Sequence, residues 1–167
     1  MIIPKVLKHF NLFIDGKGYA GLVGELSLPR LSLKMDELYS AGMDAPIELD
    51  MGMDKLSCDF SLYEYNADVI KQFGLNNGAQ VPLTLRGGLD NEGGVSPVVV
   101  TLRGAWQDLD MGSWQAGDKP SLKVTVTLRY YKLNIDGADL IEVDVQNMVR
   151  KIDGVDQLEA MRAAIGL

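Results

Sequence analysis

The sequence predicts a mainly β chain whose strands carry one dry face and one wet face. Three observations predict it: strict alternation over residues 95–109 and 122–133, Asp-Gly turns that join short alternating runs, and little helical periodicity. In the second long run Leu122, Val124, Val126, Leu128 and Tyr130 fall on one face, and Lys123, Thr125, Thr127, Arg129 and Tyr131 on the other. At about 3.4 Å per residue this run spans roughly 40 Å, about twice the usual strand. Such length exceeds the needs of one small core and implies a shared sheet or a projecting hairpin.

The remaining elements follow in order. Residues 11–14 read as a strand, and Asp15-Gly16 as a hairpin turn into a second strand over 19–23. Further strands are expected at 25–28, 31–36, 47–50, 56–62 and 81–87. Near the end, 130–135 runs into Asp136-Gly137 and then 140–143, so "NLFIDG" and "KLNIDG" read as hairpins of one kind. "TLRGG" at 84–88 and "TLRGA" at 101–105 form a second, short echo. A short helix is expected after Asn66 as N-cap, with Val69, Ile70 and Phe73 inward and Gly74 as its stop. A C-terminal helix is expected with Asp153 or Asp156 as cap, an apolar stripe of Val155, Leu158, Met161 and Ile165, and Gly166 at its end. The stripe packs either on its own domain or on a neighbouring subunit. Residues 38–53, "LYSAGMDAPIELDMGM", set three methionines, Tyr39, Pro46 and Ile47 among glycines and acids, which suits a surface covered by a partner or a loop folded over the core.

A chain of 167 residues fits a single domain, taken here as 1–167, with mass enough for its own core. Sixteen basic against twenty-three acidic residues give a net charge of −7, which argues against tight nucleic-acid binding but not against passive passage of a polyanion along an acidic wall. The single cysteine, Cys58, excludes an intramolecular disulfide; it alternates with Leu56, Phe60 and Leu62 as a core residue. The N-terminal Ile2, Ile3 and Pro4 lead into Lys5, Lys8 and His9, with no signal-like apolar region, and no run approaches the roughly 20 apolar residues of a membrane span. Cytoplasmic folding without stable membrane binding is the expectation.

Catalytic chemistry is sparse. The only histidine is His9, Ser27, Ser32, Ser57 and Ser61 lie in strand patterns outside any nucleophile elbow, and no phosphate-binding loop occurs. Glu48 with Asp50 and Glu142 with Asp144 are i, i+2 pairs of the kind found on solvated strand faces. "GGLDNEGG" at 87–94 lacks the ligand spacing of a calcium loop and reads as a hairpin tip. No catalytic residue, metal ligand or cofactor is therefore assigned.

"NLFIDG", "LPRLSLK" at 28–34, "AGMDAPIELDMGM" at 41–53, "TLRG" at 101–104 and the ending "VDVQNMVRKIDGVDQLEAMRAAIGL" together resemble the major tail tube protein of contractile-tailed bacteriophages and the tubes of R-type contractile bacteriocins. The resemblance runs over nearly the whole chain; 87–94 and 111–120 carry no matching motif. It implies two packed antiparallel sheets, barrel-like, with a flanking helix, six subunits to a ring, and sheets joined between subunits into one large barrel. It further implies rings stacked into a hollow tube inside a contractile sheath, with tape measure, baseplate and tail-terminator proteins as further partners and DNA only as passing cargo. In that setting 38–53 becomes an inter-ring loop with Tyr39, Met43, Asp44, Pro46 and Ile47 at the contact, and 144–167 a C-terminal arm and helix packing through Val155, Leu158, Met161 and Ile165. Lys123, Thr125, Thr127 and Arg129 would line the channel, diluted by carboxylates for which Glu48 and Asp59 are the candidates. Two other readings stay open: a tube subunit of a type VI-like or other contractile injection machine, and a monomeric β-sandwich binding a ligand through Trp106, Trp114 and Tyr131.

Overall fold

The structure, a computed structural model, describes residues 1–74 and 80–167. Its elements are β1 (Val6–Ile14), β2 (Lys17–Gly18), β3 (Val23–Ser27), β4 (Leu33–Leu38), β5 (Ile47–Met53), β6 (Leu56–Leu62), α1 (Ala67–Ile70), β7 (Val81–Asp90), β8 (Val95–Asp110), β9 (Leu122–Ile135), β10 (Ala138–Asp144), β11 (Val149–Ile152), β12 (Val155–Asp156) and α2 (Glu159–Ile165). All pairings are antiparallel, in a ten-stranded sheet and a separate two-stranded ribbon of β4 and β5. The mainly β, two-sheet architecture with few short helices is the one the sequence predicts.

Strand β9 explains its own length. One edge pairs with β8 from Lys123 to Ile135, while the other is divided, with β6 opposite Leu122 to Leu128 and β10 opposite Tyr130 to Ile135. β7, β1 and β2 continue the sheet beyond β8, and β3 continues it beyond β6. The sheet curls, because β1 and β3 stand at opposite ends of this order yet are joined by the short link through β2 and Tyr19–Leu22. Tyr19 N donates to Leu12 O at 2.9 Å and Tyr63 N to Leu22 O at 2.8 Å, pinning the link to both ends. Inside lies one apolar cluster that unites Leu12 and Ile14 of β1, Leu83 and Leu85 of β7, Leu102 of β8, and the alternating residues of β6 and β9. Trp106 meets Phe60 edge-on at 5.7 Å, and its indole N–H donates to Val69 O of α1 at 2.8 Å. Asn66 caps α1 by accepting from the backbone of Asp68 and Val69.

Two bulges interrupt the β8–β9 ladder. Arg103 faces Tyr130 and Gly104 faces Leu128, so Arg129 is the extra residue of β9; Trp106 faces Val126 and Asp108 faces Thr125, so Gln107 is the extra residue of β8. The first bulge overturns part of the predicted alternation: beyond Arg129 the parity inverts, so Tyr131 is buried at 4 % exposure and Tyr130 turns outward, where Arg103 lies 4.1 Å over its ring. Bulges are invisible to period-2 counting, because one added residue exchanges the two faces.

Other expectations are corrected locally. Residues 19–22 form a turn rather than a strand, with Gly21 at φ +82° and Tyr19 buried in the core. Phe73 is exposed because α1 ends at Ile70, before it could bring Phe73 onto the inward face. Val155 belongs to β12 rather than the C-terminal helix, since Asp153-Gly154 turns the chain with φ of 50° and 79°. The anticipated turns at Asp15-Gly16 and Asp136-Gly137 show the same paired positive φ values, 49° and 82°, then 53° and 83°. That is the backbone of a type I′ hairpin, whose twist matches the strands it joins.

Gly104 sits at the first bulge, where the backbone of β9 comes close to that of β8. A Cβ there would stand 2.2 Å from Thr127 O and 2.9 Å from its carbonyl carbon, both backbone atoms of the ladder. Gly104→Ala is expected to destabilise the chain by about 1–3 kcal/mol, the usual cost of overpacking a well-packed site. Chemical denaturation of the variant beside the wild type measures it.

Candidate assembly surfaces

The β4–β5 ribbon projects with every residue exposed except half-buried Met53. Register gives it two faces. Leu38 opposes Ile47 and Asp36 opposes Leu49, while Glu37 opposes Glu48 and Met35 opposes Asp50. One side therefore carries Leu38, Ile47 and Leu49; the other sets two carboxylates directly across from each other, a destabilising arrangement in a free ribbon. Gly52, at φ +105°, supplies the extra residue of a bulge near the base, and its N–H donates to Asp50 Oδ1 at 2.8 Å. At the tip, Tyr39, Asp44, Pro46 and Ile47 are exposed, whereas Met43 is half-buried against its own turn, its N–H donating to Ser40 O and its sulfur accepting from Ser40 Oγ, each at 3.2 Å.

The outward face of β6 and β9 is polar. Ser61 opposes Lys123, Asp59 opposes Thr125 and Ser57 opposes Thr127, while on the β8 side Asp110 opposes Lys123 and Asp108 opposes Thr125. Thr127 Oγ1 donates to Gln107 Oε1 at 2.9 Å, and Glu25 N donates to Ser61 Oγ at 3.0 Å. Lys123, Thr125 and Asp59 thus line one shallow cleft with Glu25, Ser27 and Ser61. Arg129 lies at the bulge, at the end of this row. Glu48 is not brought to this face, because it stands on the ribbon opposite Glu37. The carboxylates that do surround Lys123 include Asp108, Asp110 and Glu25, which sequence reasoning missed: Gln107 shifts the parity that would have placed the two aspartates.

The C-terminal arm lies beyond β10. Asp156 accepts from Leu158 N at 3.1 Å and from Arg162 Nη2 at 2.5 Å, and Arg162 Nη1 donates to Met148 O at 2.8 Å. These bonds hold α2 to the arm although the helix buries none of its residues. Leu158 is half-buried, whereas Val155, Met161 and Ile165 are exposed among the described residues. Gly166 ends the helix at φ +83°, as anticipated.

Trp106 and Tyr131 are core residues and only Trp114 is open to solvent, its indole N–H donating to Tyr65 Oη at 2.8 Å. The three do not form a stacking platform. Among the described residues no group of three or more His, Cys, Asp or Glu side chains could hold a metal ion. Burial pushes the Cys58 thiol up to about 12.

Residues 4–166 match the family model described as phage tail tube protein FII. The chain is 35% identical, over an alignment of 172 positions covering all of both chains, to the tail tube protein of Escherichia phage P2. It is 29% identical to the major tail tube protein of Serratia phage KSP20, over 92% of this chain and 91% of that one. In fold it resembles a chain of the cryo-EM structure of the anti-feeding prophage baseplate, 6-fold symmetrised, with a TM-score of 0.54 at 15% identity, covering 80% of this chain and 97% of the other. The chain belongs to the phage tail tube protein family.

One ion pair ties the ribbon to the body. Arg150 Nη2 of β11 lies 3.0 Å from Asp50 Oδ2, with the arginine side chain largely buried. The bond from Gly52 N–H, then Arg150, hold the Asp50 carboxyl below the usual carboxylate range. A carboxylate whose pKa is lowered by folding stabilises the folded form above its unfolded value of about 3.9, and that contribution is lost as pH falls through the lower folded value. Arg150→Ala is therefore expected to speed amide exchange in β4 and β5 at neutral pH while leaving β6 and β9 protected. Acidification below about pH 4 should loosen the same amides in the wild type, and residue-resolved NMR exchange follows both effects.

Proposed function

We propose that this chain is the building block of the inner tube of a contractile tail: six copies form a ring, rings stack into a hollow tube, and sheath contraction drives that tube through a target envelope. The observation that supports this reading most directly is the projecting ribbon on which Leu38, Ile47 and Leu49 stand exposed along one face. Membership of the tail tube protein family supports a tube as the assembly that covers it. The 38–53 segment then reaches the adjacent ring, and the exposed Val155, Met161 and Ile165 of the 144–167 arm meet a neighbouring copy. Sheath, tape measure, baseplate and tail-terminator proteins are the other partners, and the particle is assembled in the host cytoplasm as part of the virion tail or a bacteriocin.

In this reading the polar face of β6 and β9 lines the channel, its sheet continued by equivalent sheets of neighbouring copies into one barrel without open edges. Glu25, Asp59, Asp108 and Asp110 outnumber Lys123 and Arg129 on or beside that face. A wall of this sign repels a polyanion, so DNA passes without being held; in a bacteriocin the same lumen conducts ions.

Cysteine at Thr125 or Thr127, in a Cys58→Ser background, is expected to react freely in the monomer and resist bulky thiol reagents in assembled tubes, while small reagents entering by the ends still reach it. Rapid labelling by bulky reagents along intact tubes would put this face outside. Self-association is tested by mass measurement and negative-stain microscopy at high concentration or with baseplate components. Rings and tubes are expected from the wild type, and monomers alone under both conditions would overturn the reading. Ile47→Asp should keep a nearly unchanged melting temperature, because the side chain is already half exposed, yet fail to form tubes, since assembly would bury an unpaired charge at a cost of several kcal/mol.

A further inference from the structure

We infer that the apolar opening between β1 and β3 is the socket that receives the β4–β5 ribbon of a second copy. The inference rests on the tube reading and names the receptor for its projecting element. Where the sheet curls, its seam leaves part of the core unroofed: Leu7 and Phe10 of β1, Leu26 and the following Leu28, Gly87 of β7 and Val98 of β8 surround a cavity of about 120 Å³ with almost no polar lining. Apolar cavities of roughly 150 Å³ accept a benzene-sized group, so this one has room for the end of one large aliphatic side chain. Leu7, Phe10 and Leu28 remain well exposed around it. Leu7 packs against the bare backbone of Gly87, its Cδ1 standing 2.9 Å from where a Cβ would be.

A second copy is the occupant that the charges select. Residues 33–53 carry Asp36, Glu37, Asp44, Glu48 and Asp50 against Lys34 alone, a net charge of −4 within a chain of −7. Residues 2–10, which contribute the β1 wall, carry Lys5 and Lys8 and no acid. Lys8 lies 3.4 Å from Asp90, while Lys5, bonded among the described residues only to the neutral Ser96 hydroxyl, and the exposed Arg30, two positions after Leu28, keep their charge available to a partner. Electrostatic complementarity of this kind steers encounter and fixes orientation, while apolar side chains supply the burial. The ribbon cannot serve its own socket: its base is tied to β11 through Asp50 and Arg150, and none of its residues lines the cavity. Asp36 shares the apolar face with Leu49, which sets a carboxylate beside the side chains entering the socket. The C-terminal helix also exposes Met161 and Ile165, but residues 153–167 carry Asp153, Asp156 and Glu159 against Arg162, half the ribbon's net charge, and Arg162 is already engaged with Asp156.

The test mixes two variants that each add one cysteine, Ile47→Cys and Leu28→Cys, under conditions where wild-type chains form tubes. Cys58 is retained, since its buried thiol is unreactive. Oxidation of mixed tubes is expected to give covalent dimers containing one chain of each variant, and oxidation of either variant alone is expected to give far fewer. Tubes that form normally but yield no Ile47–Leu28 dimer would overturn the inference while leaving the tube reading intact. Dimers of Leu28→Cys with Ile165→Cys in their place would give the socket to the C-terminal helix and overturn it likewise. Failure of wild-type chains to assemble at all would remove the tube reading and the socket together. Leu28→Asp provides the second measurement: a folded monomer that no longer forms tubes is expected, and normal tubes would count against the socket.

Discussion

The close pairing of β8 with β9 is the constraint on which the rest of this molecule depends. The pairing runs from Asp110↔Lys123 at one end to Val98↔Ile135 at the other, and every other strand of the large sheet joins it directly or through one or two intermediates. Its length lets β9 serve β6 and β10 along one edge, so the barrel-like body and the C-terminal arm share a single backbone ladder. Gly104 makes the approach possible at the bulge, where no side chain fits beside Thr127 O. Because the added residue Arg129 inverts parity, Lys123 and Thr125 face solvent while Tyr131, farther along the same strand, reaches the core. One bulge thus divides a single strand between two tasks, a polar wall and a buried anchor.

The elements that have no core of their own are the ones that resist explanation within a monomer. The ribbon sets Glu37 opposite Glu48 and exposes an apolar strip on its other face, an arrangement of little use to an isolated subunit. The arm holds α2 in place by hydrogen bonds from Arg162 and yet leaves Met161 and Ile165 in water. Single exposed apolar residues are ordinary on any surface. What distinguishes these is that they sit on projecting elements held in fixed positions, the ribbon by Arg150 and the helix by Asp156. Ordering them before association lowers the entropic cost of docking.

Strict period-2 patterning made most of the fold legible. β6 was delimited to the residue, β8 and β9 nearly so, and the Asp-Gly turns declared two hairpins because few other dipeptides accept two successive positive φ values. The same signal stands a third time at Ile152-Asp153-Gly154, where the acidic residue was read instead as a helix cap, and this cost β11 and β12 their recognition. The polar face was legible only in part. Lys123, Thr125 and Thr127 follow from alternation, and Asp59 joins them because β6 pairs with β9 in that register. Asp108 and Asp110 were hidden by Gln107, and Glu48 was misplaced because a strand pattern names a residue's parity but not the sheet to which its strand belongs.

The socket illustrates a limit of another kind. Leu26 and Leu28 fall in the strand expected at 25–28, whereas Leu7 and Phe10 precede the first expected strand at 11–14, and nothing local marks the four as parts of one surface. They surround one apolar gap because the curl of the sheet brings β1 and β3 near each other without pairing them, a consequence of the short link through Tyr19–Leu22. A fully closed barrel would have buried these residues and removed its edges. An incompletely closed one keeps an apolar gap in each subunit beside the cationic residues 2–10, and displays elsewhere an acidic ribbon with apolar side chains of fitting size. If a second copy's ribbon fills this gap, as proposed, the last part of core burial becomes conditional on assembly, and the same hydrophobic effect that folds the subunit would also drive its polymerisation.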